Sequence, residues 1–169
     1  MLSNIEIMHM NITGITNRWD KYFFTNAVVA AGMSTCLRRS VGAVLVKDKR
    51  IIATGFNGQV KNTEHCKTCY RIENEIPSGQ MSEKCFAVHA EQNAIAQCAS
   101  QGISSQNSTL YCTHKPCFTC AKILFNSGII EINYLEDYPD ELTEHLFNET
   151  GTLYVTSDEF HKFLKNKKR

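Results

Sequence analysis

Two short motifs carry side chains that suit metal binding, and each lies where a helix is predicted to begin. His89 and Glu91 belong to the motif His-Ala-Glu. Cys117 and Cys120 belong to Pro-Cys-Phe-Thr-Cys. Two cysteines three residues apart share one helix face, and a helix N-terminus favours the thiolate form that a metal ligand needs. His89, Cys117 and Cys120 are therefore candidate zinc ligands, with the fourth tetrahedral position left for water as in catalytic sites.

Glu91 is the candidate general base beside this metal site. Two thiolates cancel the formal charge of Zn²⁺, so such a zinc acidifies water less than one held by three neutral histidines, and a base is needed. The pattern H-x-E followed by P-C-x-x-C is the signature of zinc deaminases, in which water attacks a base carbon and the Glu shuttles protons. A C-x-x-C pair alone also occurs in redox sites and zinc ribbons. Its combination with H-x-E favours deaminase chemistry.

The composition is that of an ordinary globular domain. The chain has 169 residues, of which 43% are hydrophobic and 21% charged, and this length favours one domain. A formal net charge of +1 gives no global attraction to nucleic acid or an anionic membrane, although a local basic patch remains open. No apolar run approaches a membrane helix and no signal peptide is recognisable, so we expect a cytoplasmic protein, or one in the host cytoplasm if it is viral.

The eight cysteines are interpreted in the light of that compartment. A reducing environment makes clustered Cys and His metal ligands rather than disulfides. Cys98 and Cys112 lie within apolar runs and are expected in the core. Four cysteines then remain beside the candidate zinc pair, namely Cys36, Cys66, Cys69 and Cys85.

The hydrophobic pattern predicts a sheet with helices on both faces. Apolar residues recur at spacings of three and four from Trp19 to Ser34, and two β-branched runs at Val41–Val46 and Arg50–Phe56 predict a hairpin. The hairpin and the later βαβ alternation favour an α/β fold with three α/β/α layers and a mixed sheet of about five strands. The later predicted elements are a helix at His89–Ser100, a strand at Thr109–Thr113, a helix at Cys117–Ser127, a strand at Ile129–Leu135, a helix at Glu141–Asn148, a strand at Thr152–Val155 and a helix at Asp158–Lys165.

The same pattern suggests how the chain is divided. Residues 1–17 show no period and are expected to form a mobile or loosely packed arm, and residues 18–169 a single domain. A polar stretch at about 57–87 contains Gly58, Pro77 and Gly79 and is too long for a plain connection in a compact domain. We expect it to be a functional insert, and we call these residues the insert below.

Several segments carry a resemblance to a known family over nearly the whole chain after residue 17. They are Arg18–Phe23, Ser34–Val44, Gly55–Gly58, His89–Ile95, Thr113–Lys122 and Ser127–Ile129. In these segments the chain resembles the deoxycytidylate (dCMP) deaminases of the cytidine deaminase superfamily, in the branch of the bacterial competence-operon homologue and phage enzymes. Free cytidine deaminases usually have Cys at the position of His89, and tRNA adenosine deaminases usually lack Gln92–Ile95 and the long insert.

The resemblance implies a cytidine deaminase-like fold and the hydrolysis of dCMP to dUMP and ammonia, which feeds thymidylate synthesis. It implies Zn²⁺ at the three candidate ligands, with Glu91 moving protons from water to N3 of the base and to the leaving ammonia. Asn57 corresponds to a residue that hydrogen-bonds the sugar in similar deaminases, or else serves as a turn residue. The substrate-binding candidates are Asn57, Ala90 through its backbone, Thr113, Tyr134, and for the phosphate Arg38, Arg39 and Lys61.

Regulation and assembly are also implied by the resemblance. Members of the family are commonly homohexamers that dCTP activates and dTTP inhibits, with Mg²⁺ accompanying the triphosphate. The residues implied in the regulatory site are Gly55, Asn57 and Gly58. The family usually has Pro soon after Asn-Gly, where this chain has Gln59 and Val60, so regulation is the less secure part of the resemblance.

A second zinc is expected in the insert. Cys36 precedes the first strand at a position where related enzymes can place a second metal ligand. Such a zinc would be structural and would fasten the insert over the active site, whereas the alternative is free thiols in an otherwise ordered loop. The candidate ligands are four of the five residues Cys36, Cys66, Cys69, Cys85 and His65.

Other functions stay open at this stage. A nucleic-acid or tRNA-editing deaminase would need a basic cleft rim and stacking aromatic residues, and a bifunctional enzyme would accept both dCMP and dCTP. A non-catalytic zinc module would have no use for Glu91, because that residue is not a ligand.

Overall fold

The computed structural model describes residues 15, 17–138, 140–150 and 153–156, the last range by its backbone only. Most of the predicted N-terminal arm and the predicted helix at Asp158–Lys165 lie outside these residues. Ile15, which does belong to the predicted arm, is 3% exposed and packs in the core. The structure thus packs this residue of the predicted arm against the core, and the arm itself stays a prediction.

The elements follow the predicted order closely. Asn17 caps the first helix by accepting a hydrogen bond from the Trp19 backbone N–H at 2.9 Å. The elements are α1 (Arg18–Ala31), β1 (Gly42–Lys47), β2 (Arg50–Phe56), β3 (Gly58–Gln59), α2 (Tyr70–Glu73), a 3₁₀ turn (Ser82–Lys84), β4 (Ala87–Val88), α3 (Ala90–Gln101), β5 (Ser108–His114), α4 (Phe118–Asn126), β6 (Ile129–Glu136), α5 (Glu141–Thr150) and β7 (Leu153–Thr156). The insert therefore has short elements of its own, which the sequence did not predict.

The main sheet is mixed and has five strands in the order β2-β1-β5-β6-β7. β1 pairs antiparallel with both β2 and β5, whereas β5, β6 and β7 run parallel. A separate two-stranded ribbon joins β3 to β4 and so links the two ends of the insert. The mixed α/β sheet predicted from the sequence is confirmed.

Helices cover both faces of this sheet. Along β1, Val44 and Val46 join the cluster that α1 covers, and Ala43 and Leu45 join the opposite cluster. That second cluster contains residues of α3, α4 and α5. The alternation follows from the two-residue period of a strand and gives three layers. Among the described residues, no helix combines the length and apolar character needed to cross a bilayer.

Two glycines let helices lie directly on the sheet. A Cβ atom on Gly42 would stand 2.0 Å from the backbone oxygen of Ala27 in α1. A Cβ atom on Gly55 would stand 2.0 Å from the backbone oxygen of Ala90, the first residue of α3. No side chain fits at either distance, so close helix packing requires glycine at both positions.

We predict that Gly55→Ala lowers the free energy of unfolding by about 1–3 kcal/mol, because the added methyl group must push the first turn of α3 away from β2. Urea unfolding measures the change. Gly32→Ala is the control, since its Cβ atom would come no closer than 3.2 Å, to the Val29 backbone oxygen, and its φ of −62° suits alanine. That control is expected to change stability by less than about 1 kcal/mol. Equal effects of the two substitutions would contradict the packing explanation.

Candidate active site

The two predicted helix starts converge on one point. His89 directly precedes α3, Cys117 directly precedes α4, and Cys120 lies in the first turn of α4. The Nδ1 atom of His89 lies 3.5 Å from Sγ of Cys117 and 3.3 Å from Sγ of Cys120. All three ligand atoms are within 4.8 Å of one another. The structure thus brings together the three side chains that the spacing singled out.

These distances fit a tetrahedral zinc ion. Zinc binds imidazole nitrogen at about 2.0–2.1 Å and thiolate sulfur at about 2.3 Å, and tetrahedral angles then place the nitrogen and sulfur about 3.5 Å apart. The observed separations of 3.3 and 3.5 Å therefore allow one zinc to contact all three atoms without rearrangement. The donor set of one imidazole and two thiolates also matches zinc chemistry.

Electrostatics within this group favour a thiolate. A hydrogen bond from Cys120, helped by His89, lowers the pKa of Cys117 to about 4. The same hydrogen bond, together with burial, raises the pKa of Cys120. The hydrogen bond with Cys117 raises the pKa of His89, whereas burial and, to a smaller extent, the positive charge of Arg71 act in the opposite direction. Cys117 is thus ready to bind a cation as an anion, while Cys120 must release its proton when metal binds.

Glu91 lies beside this group and is 5% exposed. Burial raises the pKa of its carboxyl group, and the charge of nearby His89 opposes the rise. A carboxyl group whose pKa moves toward neutrality can both accept and return a proton at the working pH. The position and the environment of Glu91 therefore suit an acid–base role.

The residues after Glu91 hold the start of α3 in place. The Gln92 side-chain oxygen accepts a hydrogen bond from the His89 backbone N–H at 3.0 Å. The Asn93 side-chain amide donates to the backbone oxygen of Phe56 at 2.7 Å. The first bond satisfies a backbone donor at the helix start and the second ties α3 to the end of β2. Both bonds limit the movement of His89.

A carboxylate holds the start of α4. Asp140 accepts hydrogen bonds from the backbone N–H of Phe118 at 3.0 Å and from that of Thr143 at 3.1 Å. One side chain therefore caps α4, which carries the thiolates, and also α5. Its position ties the thiolate pair to α5.

Lys115 makes a second link to α5. Its ammonium group contacts Glu144 at 2.7 Å and Asp137 at 3.2 Å, and its side chain is 1% exposed. Burial alone would lower the pKa of Lys115, but the two carboxylates more than offset it and raise the pKa. Lys115 therefore stays charged and fastens the chain just before Cys117.

His89, Cys117 and Cys120, which we call the metal group, lie at a cleft that the insert helps to line. His89, Ala90 and Glu91 form one part of its wall, and Arg38, Arg39 and Asn57 form another. The insert contributes Arg71, Ser78 and Gly79, and Tyr138 contributes from the segment after β6. The Arg39 guanidinium lies 5.7 Å from the centroid of the Tyr138 ring. A ligand in the cleft would therefore contact residues that are distant in sequence.

Asn57 lines this cleft, but its amide is largely engaged within the protein. Its oxygen accepts hydrogen bonds from the Ser34 hydroxyl at 2.6 Å and from the Val41 backbone N–H at 2.8 Å. Its nitrogen donates to the Arg39 backbone oxygen at 2.7 Å. The side chain thus shapes the loop between α1 and β1, and one amide hydrogen remains for a ligand.

Three predicted substrate-binding residues lie away from the cleft. Thr113 is buried and accepts a hydrogen bond from the Gly42 backbone N–H at 3.1 Å, which joins β5 to β1. Tyr134 is buried in the core cluster beneath α3 and α4. Lys61 is exposed on the insert. Strand position buries the first two and none of the three lines this cleft, so their contact with a ligand stays a prediction.

The glycines of the predicted regulatory site have packing roles. Gly55 lies against α3, and a Cβ atom on Gly58 would stand 2.5 Å from the Thr35 hydroxyl. Neither lines the cleft, whereas Asn57 does. Close packing thus accounts for both glycines without an effector.

The side chains of the predicted second zinc site are not gathered together. Within the described part of the chain, only His89, Cys117 and Cys120 form a group of three or more possible ligands within 4.8 Å. Cys36 and Cys85 both line the cleft, whereas the Gln59 amide contacts Cys66 and His65. Cys69 directly precedes α2. The second zinc stays a prediction.

Sequence reasoning missed several residues that line the cleft. They are Arg71, His114, Lys115 and Tyr138. His114 and Lys115 belong to the segment Thr113–Lys122 and lie close in sequence to the candidate ligand Cys117. Their position in sequence could therefore have indicated a place near the site. Arg71 lies in a polar, irregular segment and carries no such signal, because only tertiary contacts bring it to the site.

Comparison with known proteins agrees with this geometry. The family model described as the cytidine and deoxycytidylate deaminase zinc-binding region matches residues 17–136, which contain the metal group and Glu91. The chain belongs to the cytidine and deoxycytidylate deaminase family. It is a deaminase of the zinc type, a hydrolase similar to the dCMP deaminases.

Individual relatives support the same family. ComE operon protein 2 of Bacillus subtilis strain 168 is 36% identical over 156 residues, which cover 89% of this chain and 78% of that protein. The deoxycytidylate deaminase of Mycobacterium phage D29 is 39% identical over 121 residues, which cover 69% of this chain and 93% of that protein. The crystal structure of the dCMP deaminase from cyanophage S-TIM5 in complex with dCMP and dUMP matches with a TM-score of 0.71 and 27% identity, over 83% of this chain and 98% of that one.

We predict that Asp140→Ala lowers the free energy of unfolding by about 1–2 kcal/mol, because it removes a cap shared by α4 and α5. It should also speed the release of zinc to a chelator, since the thiolate pair lies on the loosened helix start. Asp140→Asn, which keeps a side-chain acceptor, should have a stability and a rate of zinc release between those of Asp140→Ala and the unaltered protein. Glu149→Gln, an exposed change in the last turn of α5, is the control. Zinc release as slow in Asp140→Ala as in the control would contradict the positioning role.

Proposed function

We propose that this protein hydrolyses dCMP to dUMP and ammonia. The observation that carries the proposal is the juxtaposition, in one cleft, of a zinc-binding group, a buried carboxyl group and several arginines. Two relatives support the choice of substrate, because one is named a deoxycytidylate deaminase and the other was crystallised with dCMP and dUMP.

The chemical step exchanges the amino group at C4 of cytosine for an oxygen from water. His89, Cys117 and Cys120 would hold a zinc ion, which would supply Lewis-acid activation of that water. Glu91 accepts a proton from the water and delivers it to N3 of the base as the carbon–oxygen bond forms. It then takes the second proton of the same water from the hydroxyl group now on C4 and delivers it to the amino group, so that ammonia leaves as the carbon–nitrogen bond breaks and the C4 carbonyl forms.

Two arginines that line the cleft suit a phosphate group. Arg38 and Arg39 belong to the loop between α1 and β1 and line the same cleft as Glu91. A guanidinium group offers several donors in a planar fork and binds phosphate through charge-assisted hydrogen bonds. In the same cleft, the backbone of Ala90 is available for the base and the remaining amide hydrogen of Asn57 for the sugar.

A mononucleotide suits this cleft better than a polynucleotide. The insert contributes Ser78 and Gly79 to the wall, and a Cβ atom on Gly79 would stand 3.0 Å from the Tyr138 hydroxyl. The insert and the segment after β6 are therefore in contact at the cleft. A strand of nucleic acid needs an open groove with stacking aromatic residues along it, and this contact supports a short ligand instead.

Glu91→Gln tests the acid–base role. The amide keeps the size of the side chain but cannot take up the proton, so we expect turnover of dCMP to fall by about 100- to 10,000-fold. Zinc content and the affinity for dUMP should stay close to those of the unaltered protein. Substantial activity in this variant would refute the mechanism, and loss of zinc would show that Glu91 acts on the metal group instead.

Substrate choice and the finer parts of the proposal are tested together. We expect ammonia release from dCMP to exceed that from deoxycytidine, dCTP or a cytosine-containing oligonucleotide.

We extend the proposal to a homohexamer that dCTP with Mg²⁺ activates and dTTP inhibits, and to a structural zinc in the insert. Opposite responses to the two effectors, a hexamer by light scattering and two zinc ions per chain would support these extensions. Activity on the oligonucleotide alone would instead favour an editing enzyme.

A further inference from the structure

Two buried nitrogen atoms of arginine side chains point to a ligand in the cleft. Nη1 of Arg38 and Nε of Arg71 are both buried and have no hydrogen-bond partner within the described residues. Both arginines line the cleft that contains Glu91. A buried donor without a partner is destabilising, so two such donors on arginines of one cleft call for an acceptor.

One residue of the insert links the Arg38 side chain to the backbone of Arg71. Nη2 of Arg38 donates to the backbone oxygen of Ile76 at 2.6 Å. The backbone N–H of Ile76 in turn donates to the backbone oxygen of Arg71 at 3.0 Å. Ile76 is 8% exposed, which buries this link. The first bond fixes the Arg38 guanidinium by one nitrogen and leaves Nη1 for a ligand.

The charges in the cleft favour an anion. Among the described residues that line it, Glu91 is the acidic one, against the guanidinium groups of Arg38, Arg39 and Arg71. Lys115 is paired with Asp137 and Glu144. The ion pairs found in the described residues do not include the three arginines. The cleft therefore has positive charge that no ion pair in the described part of the chain compensates.

We propose that Arg71 of the insert binds the 5′-phosphate of the substrate together with Arg38, and that this contact makes the enzyme select nucleoside monophosphates over nucleosides. The inference rests on the proposed function. Two forked donors match the oxygen atoms of a phosphate group, whose double negative charge balances both arginines. Arg71 thus takes the role that the sequence analysis gave to Lys61, which is exposed.

Steady-state kinetics of Arg71→Gln on dCMP and on deoxycytidine test the proposal. For dCMP, kcat/KM should fall by about 10- to 100-fold, mainly through a higher KM, because charge-assisted hydrogen bonds to the phosphate are lost. For deoxycytidine, kcat/KM should change by less than about twofold. Arg71→Lys should recover part of the loss. Lys67→Gln, which removes an exposed charge from the same insert, is the control.

Binding measured by calorimetry separates a phosphate contact from a structural role. Arg71→Gln should weaken the binding of dUMP and leave that of deoxyuridine unchanged, with zinc content and circular dichroism as checks on folding. Equal losses for both ligands, or for both substrates, would overturn the proposal. So would an unchanged KM for dCMP. If the unaltered protein deaminates no cytosine nucleotide, the proposed function fails, while the two binding measurements still decide whether Arg71 contacts phosphate.

Discussion

The metal group exists only because the starts of α3 and α4 lie close enough together for their side chains to share one ion. His89 and the two cysteines come from different helices, yet their ligand atoms lie 3.3 and 3.5 Å apart. Each helix start is held against a different neighbour. Gly55 lets α3 touch β2, and Asp140 joins α4 to α5. The arrangement of the three ligand atoms thus depends on packing and capping that lie outside the metal group.

The cleft combines two kinds of group with different electrostatic requirements. Hydrogen bonds lower the pKa of Cys117 against the opposing effect of burial, whereas burial raises the pKa of the Glu91 carboxyl group. The guanidinium groups of Arg38 and Arg71 have donors without a partner in the described part of the chain. A ligand with a neutral ring and a charged tail satisfies both kinds of group, whereas a neutral nucleoside would leave the arginine donors unpaired. This difference is the physical basis of the preference that we propose.

The features that sequence predicted are those set by local spacing. The period of α1, the β1–β2 hairpin and the approach of His89 to Cys117 and Cys120 each follow from motifs of a few residues. Thr113 and Tyr134 are predicted to contact the substrate, but both belong to inner strands of a sheet whose two faces are covered by helices, so both are buried. Nothing local distinguishes Arg71 from Lys61, because only the folded insert places Arg71 in the wall of the cleft and leaves Lys61 exposed.

The insert depends on few contacts for its position. Its helix has four residues, none of them buried, and its strands have two residues each. Its first residues, Asn57 and Gln59, accept hydrogen bonds from Ser34 and Thr35. Farther along the insert, the Arg38–Ile76 hydrogen bond and the Gly79–Tyr138 contact join it to the rest of the protein. A phosphate group shared by Arg38 and Arg71 would add a link between the insert and the loop after α1. Substrate affinity and insert position are then thermodynamically coupled, because a contact that stabilises one must stabilise the other by the same free energy.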